Sequence, residues 1–292
     1  MSLSACLSFD FDAMSVWVAQ TDNPSTISRG EFGAVAIPRI LALLERHDAR
    51  ATFFIPGHTA LAYPFLVREI VAAGHEVGHH GWVHENPAVL DLEAEREVLR
   101  RGFDALERAA DVRPEGYRSP GSSFSVNTLA ILEEFGIRWD SSLAGSDFQP
   151  YYLRQGDRAS KTEAYAFGEP CELVELPFSW SLDDFPHFEF EVGWSTDQAP
   201  PSRVYEIWHS EFEYAHANAD GGFIGFCMHP QVIGRGHRLA MLDRLMGAMA
   251  QAGGVTFEPL GDYARRWRDA NPLAQWRQSD ALHARALREA LS

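Results

Sequence analysis

Short runs rich in β-branched, aromatic and small apolar residues alternate along the chain with stretches whose apolar positions recur three and four residues apart. That alternation predicts βα units around a parallel sheet. In the first run, 3–9, Leu3, Ala5, Leu7 and Phe9 share one face. Ser4, Cys6 and Ser8 share the other, and continuing the parity brings Asp10 and Asp12 to one side at the strand's C-terminal end. A helix follows, with Pro38 near its first turn and a stripe of Ile37, Ile40, Leu41 and Leu44. Residues 51–55 read as a second strand. Leu66, Ile70 and Ala73 stripe the next helix, Gly74 closes it in a left-handed turn, and 76–79 is the third strand.

Leu99, Phe103 and Leu106 mark a third helix ahead of a short strand centred on Gly116 and Tyr117, with Arg118 at its end. Ser125 is placed to cap a fourth helix that carries Leu129, Leu132 and Phe135 and stops at Gly136. Further strands are expected at 137–139, 173–176, 223–228 and 255–257. From 141 to 171 the pattern is irregular and rich in Tyr, Gly and Asp, which predicts loops or an insertion near the site. No linker composition divides the chain, so residues 1–292 are expected to form a single domain.

Composition narrows the partners. The apolar share of 46% and charged share of 23% fit an ordinary globular protein with a substantial core. A net charge of −16 repels phosphate backbones and anionic headgroups, which sets nucleic acid and membrane partners aside. Three cysteines, Cys6, Cys171 and Cys227, are too few and too far apart for a disulfide framework or a CxxC knuckle, and they read as buried small residues. The first cation is Arg29, so no basic start precedes an apolar leader, and no window is apolar enough to span a bilayer. The resulting expectation is a reducing, cytoplasmic setting.

The chemistry concentrates at strand ends. His80 and His84 are four positions apart, a spacing that puts both imidazoles on one side of a helical turn or tight loop. With one remote carboxylate they make a three-ligand site that leaves coordination positions open for water and substrate, as in a catalytic rather than a structural centre. Zinc is the default cofactor, and cobalt, nickel or iron would also suit these donors. Just upstream, 75–79 spells HExxH, but it follows Gly74 and falls where a strand is expected, so the zinc-protease motif lacks its helix.

Taken together, these residues resemble the polysaccharide deacetylase superfamily over nearly the whole chain. Residues 8–12, Ser-Phe-Asp-Phe-Asp, are similar to its first motif; the likeness implies that Asp10 is the base and Asp12 a metal ligand. Phe11 intervenes where most members have adjacent acids. Residues 74–84 resemble the second motif, whose paired histidines bind the metal, which supports His80 and His84. Arg118-Ser119-Pro120-Gly121 is similar to the third, in which the arginine orients the catalytic aspartate; Gly121 stands where a ring is usual and leaves a backbone N–H for an oxyanion. Residues 226–230 resemble the last motif, which makes His229 the general acid.

The intervening Phe11, together with 56–58, 84–87 and 180–184, resembles an intracellular branch that contains peptidoglycan-deacetylase-like proteins and cyclic imide hydrolases. Allantoinase-like members are further relatives. The resemblance implies a distorted (β/α) barrel with its site at the strands' C-terminal mouth, substrate contacts from Gly121, Trp180 and Asp183, and a homo-oligomer to which residues after Gln275 contribute. It leaves three readings: a metal-dependent deacetylase of N-acetyl sugars acting on a small molecule or oligosaccharide, a hydrolase of small cyclic imides or ureides, and a non-catalytic sugar-binding barrel.

Overall fold

A computed structural model describes residues 2–190, 198–279 and 281–290. Its strands are β1 (Leu3–Asp10), β2 (Thr52–Ile55), β3 (Glu76–His79), β4 (Gly116–Tyr117), β5 (Trp139–Asp140), β6 (Tyr151–Gln155), β7 (Glu169–Glu175), β8 (Phe223–Met228) and β9 (Val255–Phe257). They form one sheet in the order β6-β7-β5-β4-β3-β2-β1-β8, with β9 also paired to β1. Every described pairing is parallel except β6 with β7. This is the parallel βα arrangement that the alternation predicts, curled into the incompletely closed (β/α) barrel that the resemblance implies.

All eight residues of β1 are buried, as a central parallel strand covered on both faces requires. Leu3, Ala5, Leu7 and Phe9 pack with Ile37, Ile40 and Leu44 in one apolar cluster, while Cys6 joins Phe54, Trp139 and Val174 in another. Each large side chain so buried contributes roughly 1.5–3 kcal/mol. The register sets the height of the chemistry: Asp10 lies beside Phe54, and His79, Tyr117, Asp140 and Glu175 succeed one another across β3, β4, β5 and β7. The C-terminal ends therefore share one rim.

Several local expectations are corrected. The helix Pro24–Arg46 starts at Asn23, whose side chain accepts the Ser25 N–H, so Pro38 sits in its interior on the exposed side. A proline there removes one helical hydrogen bond, but this long helix buries Ile37, Ile40, Leu43 and Leu44 around it. Ala73 is exposed just past the helix Pro64–Ala72, while Gly74 turns at φ +80° as foreseen. Ser125 does not cap the helix Thr128–Glu134: its hydroxyl donates to Glu95 at 2.5 Å, and Asn127 occupies the cap position. Within 141–171 the structure builds β6, which pairs antiparallel with β7 at the sheet's edge. Cys6 and Cys227 are buried but Cys171 is only half-buried. Among the described residues, no helix is long and apolar enough to cross a membrane.

Candidate metal centre and active site

Asp12 lies two residues beyond the end of β1, where its backbone is tightly held. Its carbonyl accepts the Ser15 N–H at 3.0 Å and the Ser15 hydroxyl at 2.5 Å, and Thr59 donates a third hydrogen bond. The next residue, Ala13, takes a left-handed conformation at φ 48°. Both carboxylate oxygens of Asp12 are left buried and without a hydrogen-bond partner.

His80 follows β3 directly. Its Nδ1 lies 2.7 Å from the Arg118 carbonyl, which can only accept; the proton is therefore on Nδ1 in the neutral ring, and Nε2 is a free lone pair. That Nε2 is also buried and without a partner, 3.4 Å from Asp12 Oδ1. The loop to His84 is held by Glu85, whose carboxylate accepts the N–H groups of Trp82 at 3.1 Å and Val83 at 2.8 Å. His84 itself adopts φ 62°, a conformation uncommon for a residue with a side chain, and its ring centroid lies 5.2 Å from that of His80. Ligand atoms of Asp12, His80 and His84 all fall within 4.8 Å of one another.

The electrostatics agree with a cation site. Burial works to raise Asp12, but the three imidazoles His84, His80 and His229 bring it down to about 2. Burial lowers His84 to about 4, so it is a neutral donor at pH 7. Burial also opposes charge on His80, yet Asp10 and Asp12 raise it above the ordinary imidazole value. Buried oxygen and nitrogen atoms with no partner cost on the order of 1–3 kcal/mol each, and a divalent ion would satisfy all three donors at once. The residues fit the group.

Asp10 stands beside this cluster, 4% exposed, and Arg118 holds it. Arg118 NH1 donates to Asp10 Oδ1 at 2.9 Å and to the Ser8 hydroxyl at 2.7 Å. Its Nε and NH2 donate to the carbonyl and hydroxyl of Ser141 at 2.8 and 2.9 Å. The guanidinium carbon lies 4.3 Å from the Phe54 ring centroid. Asp140, nearby, is fully buried and accepts hydrogen bonds from Ser142.

His229 follows β8. Its Nε2 lies 4.0 Å from Asp10 Oδ2 and 3.8 Å from Asp12 Oδ2, and its Nδ1 is 2.8 Å from Asp184 Oδ1. Asp184 also accepts the His229 backbone N–H at 3.0 Å, fixing both ring and chain. Burial would lower His229, but Asp183 and Asp184 raise it well above the usual imidazole range. Burial in turn pushes Asp183 up to about 7.

Asp10, Asp12, His84, Arg118 and His229 line a pocket of about 160 Å³ that Gly121, Trp180 and Asp183 also border. Trp180 stands at the rim, 45% exposed, with its ring edge-on to Phe178 at 4.9 Å. Gly121 adopts φ 61° in the turn after Arg118. Asp183 accepts the Phe185 N–H at 2.7 Å and lies 3.7 Å from His229 Nδ1. Val16, Gln20, Phe178 and Phe185 add to the wall; Val16 and Phe185 lie in the single-turn helices Ser15–Val18 and Phe185–Phe188, and Gln20 and Phe178 in loops, segments too short to carry a periodic signal. The HExxH stretch lies in β3, where His79 turns away to the Leu99 carbonyl at 3.0 Å and burial lowers it to about 4.

A curled α/β barrel with an aspartate and two imidazoles at its mouth, beside an arginine-held aspartate and a carboxylate-held histidine, has the donor set of a mononuclear metal site next to an acid–base pair. Residues 22–139 match the polysaccharide deacetylase family model. The chain is 33% identical to the peptidoglycan deacetylase of Helicobacter pylori over 90% of this chain and 95% of that protein. A Mycobacterium smegmatis chain described as a polysaccharide deacetylase superposes with a TM-score of 0.81 at 33% identity, covering 92% of this chain and 91% of that one. The chain belongs to the polysaccharide deacetylase family. A PuuE allantoinase shares the fold with a TM-score of 0.76 at 21% identity, over 92% of this chain and 91% of its own.

Proposed function

We propose that this protein is a metal-dependent hydrolase of non-peptide carbon–nitrogen bonds, a deacetylase acting on an N-acetyl sugar or related amide. The observation that carries the reading is the trio of buried, unpartnered donors on Asp12 and His80 facing His84. A barrel that bound sugar without a metal would leave these desolvated atoms unsatisfied. Asp12, His80 and His84 would hold the ion, zinc by default, which would supply Lewis-acid chemistry: polarisation of the amide carbonyl and a lowering of the attacking water's pKa toward about 7.

Asp10 takes the proton from that water, kept ionised and aimed by Arg118. The backbone N–H at Gly121 serves as donor to the developing oxyanion. His229, protonated and steered by Asp184, delivers a proton to the departing nitrogen. Trp180 and Asp183 contact the substrate at the rim. The chain works as one catalytic domain in the cytoplasm, as a homo-oligomer.

A second reading has an observation of its own. The pocket of about 160 Å³ is walled by Val16, Phe178 and Phe185, dimensions that favour a small cyclic imide or ureide over a polymer. Zinc-reconstituted protein offered acetylated chito-oligomers, succinimide and hydantoin separates the two. Acetate release identifies the deacetylase, ring opening the imide or ureide hydrolase, and turnover of none by metal-loaded protein contradicts the enzyme reading.

A further inference from the structure

One layer behind Arg118, two carboxyl groups are buried together. Asp140 ends β5 and Glu175 ends β7, and they are register partners on adjacent parallel strands, so both side chains leave the sheet on the same face. Both are fully buried. The described residues bring no cation against either carboxylate; the buried guanidinium of Arg118 is committed to Asp10, Ser8 and Ser141. Two bare carboxylates cannot remain ionised side by side in such a place, because like charges at contact in a desolvated site disfavour the second ionisation strongly. Glu175 Oε2 is buried with no donor facing it, which leaves it free to carry a proton toward Asp140. Burial moves both groups up, Asp140 to about 6 and Glu175 well above the carboxylate range.

What the pair grips is the turn that grips Arg118. Glu175 Oε1 accepts the N–H groups of Ser142 at 3.0 Å and Leu143 at 2.9 Å. Asp140 accepts the Ser142 N–H at 3.0 Å and the Ser142 hydroxyl at 2.9 Å. That hydroxyl in turn accepts the Ser119 N–H at 2.8 Å, tying the pair to the residue after Arg118. The neighbouring Ser141 receives two hydrogen bonds from the Arg118 guanidinium. Every group in the chain from Glu175 to Asp10 is buried.

We infer that Asp140 and Glu175 are positioning residues for the reaction: a carboxyl pair sharing one proton that fixes the turn at Ser141–Leu143 and, through it, the guanidinium of Arg118 against Asp10. The inference rests on the proposed roles of Arg118 and Asp10. It adds that their geometry is imposed from two strands away by groups that never touch substrate. A glutamine at 175 can donate its amide hydrogen where the shared proton sits, whereas a leucine of similar size cannot.

Two readouts test it separately. The first is hydrogen exchange at the Arg118 Nε–H, followed by ¹⁵N NMR on zinc-loaded protein. Protection is expected in wild type and in Glu175→Gln, with exchange faster by about tenfold or more in Glu175→Leu and Ser142→Ala. The second is turnover of whichever probe, acetylated chito-oligomer or succinimide, the wild type accepts. Glu175→Leu is expected to lower kcat by about 10- to 100-fold with KM and bound zinc little changed, and the loss disappears in an Arg118→Met background.

Unchanged exchange in folded Glu175→Leu, or a kcat loss of equal size with Arg118 already replaced, overturns the positioning role. Should Glu175→Leu fail to fold, unchanged exchange in Ser142→Ala does the same. Faster exchange with unaltered kcat leaves the positioning role standing and overturns instead the assignment of Arg118 and Asp10 to the reaction.

Discussion

The two ends of the sheet treat charge in opposite ways. At the N-terminal end a groove of about 640 Å³ is bordered by Arg138, Arg265, Arg268, Glu115 and Glu172. Its arginines are largely answered on the spot: Arg265 by Asp262 at 3.1 Å and Glu115 at 3.7 Å, Arg268 by Glu172 at 3.6 Å. At the C-terminal end the pocket is only about 160 Å³, yet Asp12 and His84 line it, and the carboxylate oxygens of Asp12 and Nε2 of the adjoining His80 have no hydrogen-bond partner in the protein. Room alone does not mark chemistry here. A cluster marks it: two carboxylate oxygens and an imidazole nitrogen, stripped of water and unpaired, lie beside a third metal-ligating side chain, so that one bound cation would satisfy them together.

That contrast can be broken most severely at the ligands. His84→Ala or Asp12→Ala is expected to reduce bound metal to a small fraction of an equivalent and to cost about 10⁴-fold or more in kcat/KM, read by elemental analysis and initial rates. Stripping the metal from wild type with a chelator is expected to lower Tm by on the order of 10 °C, since an ion that binds only the folded state at 1,000 times its Kd contributes about 4 kcal/mol. Equal Tm and activity before and after chelation would contradict the contrast.

Next in size is Asp10→Asn, which should keep its metal but lose about 10²–10⁴-fold in kcat, the ordinary worth of a general base. Asp184→Asn probes the acid. His229 must be protonated to act, and Asp183 and Asp184 hold its pKa up against the downward pull of burial. Removing one carboxylate lowers that pKa, so the protonated fraction falls at a lower pH and the alkaline limb of the kcat/KM profile moves toward acid. A limb that stays in place, or moves toward alkali, argues that another group supplies the proton. The smallest effect belongs to the opposite end: Arg265 is 62% exposed, and Arg265→Ala is expected to leave kcat/KM within about twofold and stability within about 0.5 kcal/mol.

Much of the mouth was legible in the sequence because several of the proposed site residues stand at the end of a strand that periodicity reveals. Asp10 and Asp12 share the parity of β1, and His80, Arg118 and His229 directly follow β3, β4 and β8. The supporting layer was not legible. Ser8, Ser141 and Ser142 are small polar residues whose contribution is a hydrogen bond to a group distant in sequence, and nothing in their local pattern announces it. Asp140 and Glu175 are 35 positions apart and adjacent only in register, a pairing that no local pattern shows. Asp183 and Asp184 are neighbours in sequence, and only the fold distinguishes the one bordering the pocket from the one beneath His229. Pro38 misled as a helix start because packing of Ile37, Ile40 and Leu44 outweighs one missing hydrogen bond. The β6–β7 pairing stayed hidden because an edge strand in a Tyr- and Gly-rich stretch lacks the continuous apolar run of its parallel neighbours.

The most direct measurement is anomalous diffraction from crystals of protein purified without chelator, with data on both sides of the zinc absorption edge. The account predicts one strong anomalous peak within about 2.0–2.2 Å of an Asp12 carboxylate oxygen, His80 Nε2 and a His84 ring nitrogen. An empty site in protein that nevertheless hydrolyses its substrate at full rate, at that edge and at those of iron, cobalt and nickel, would contradict it.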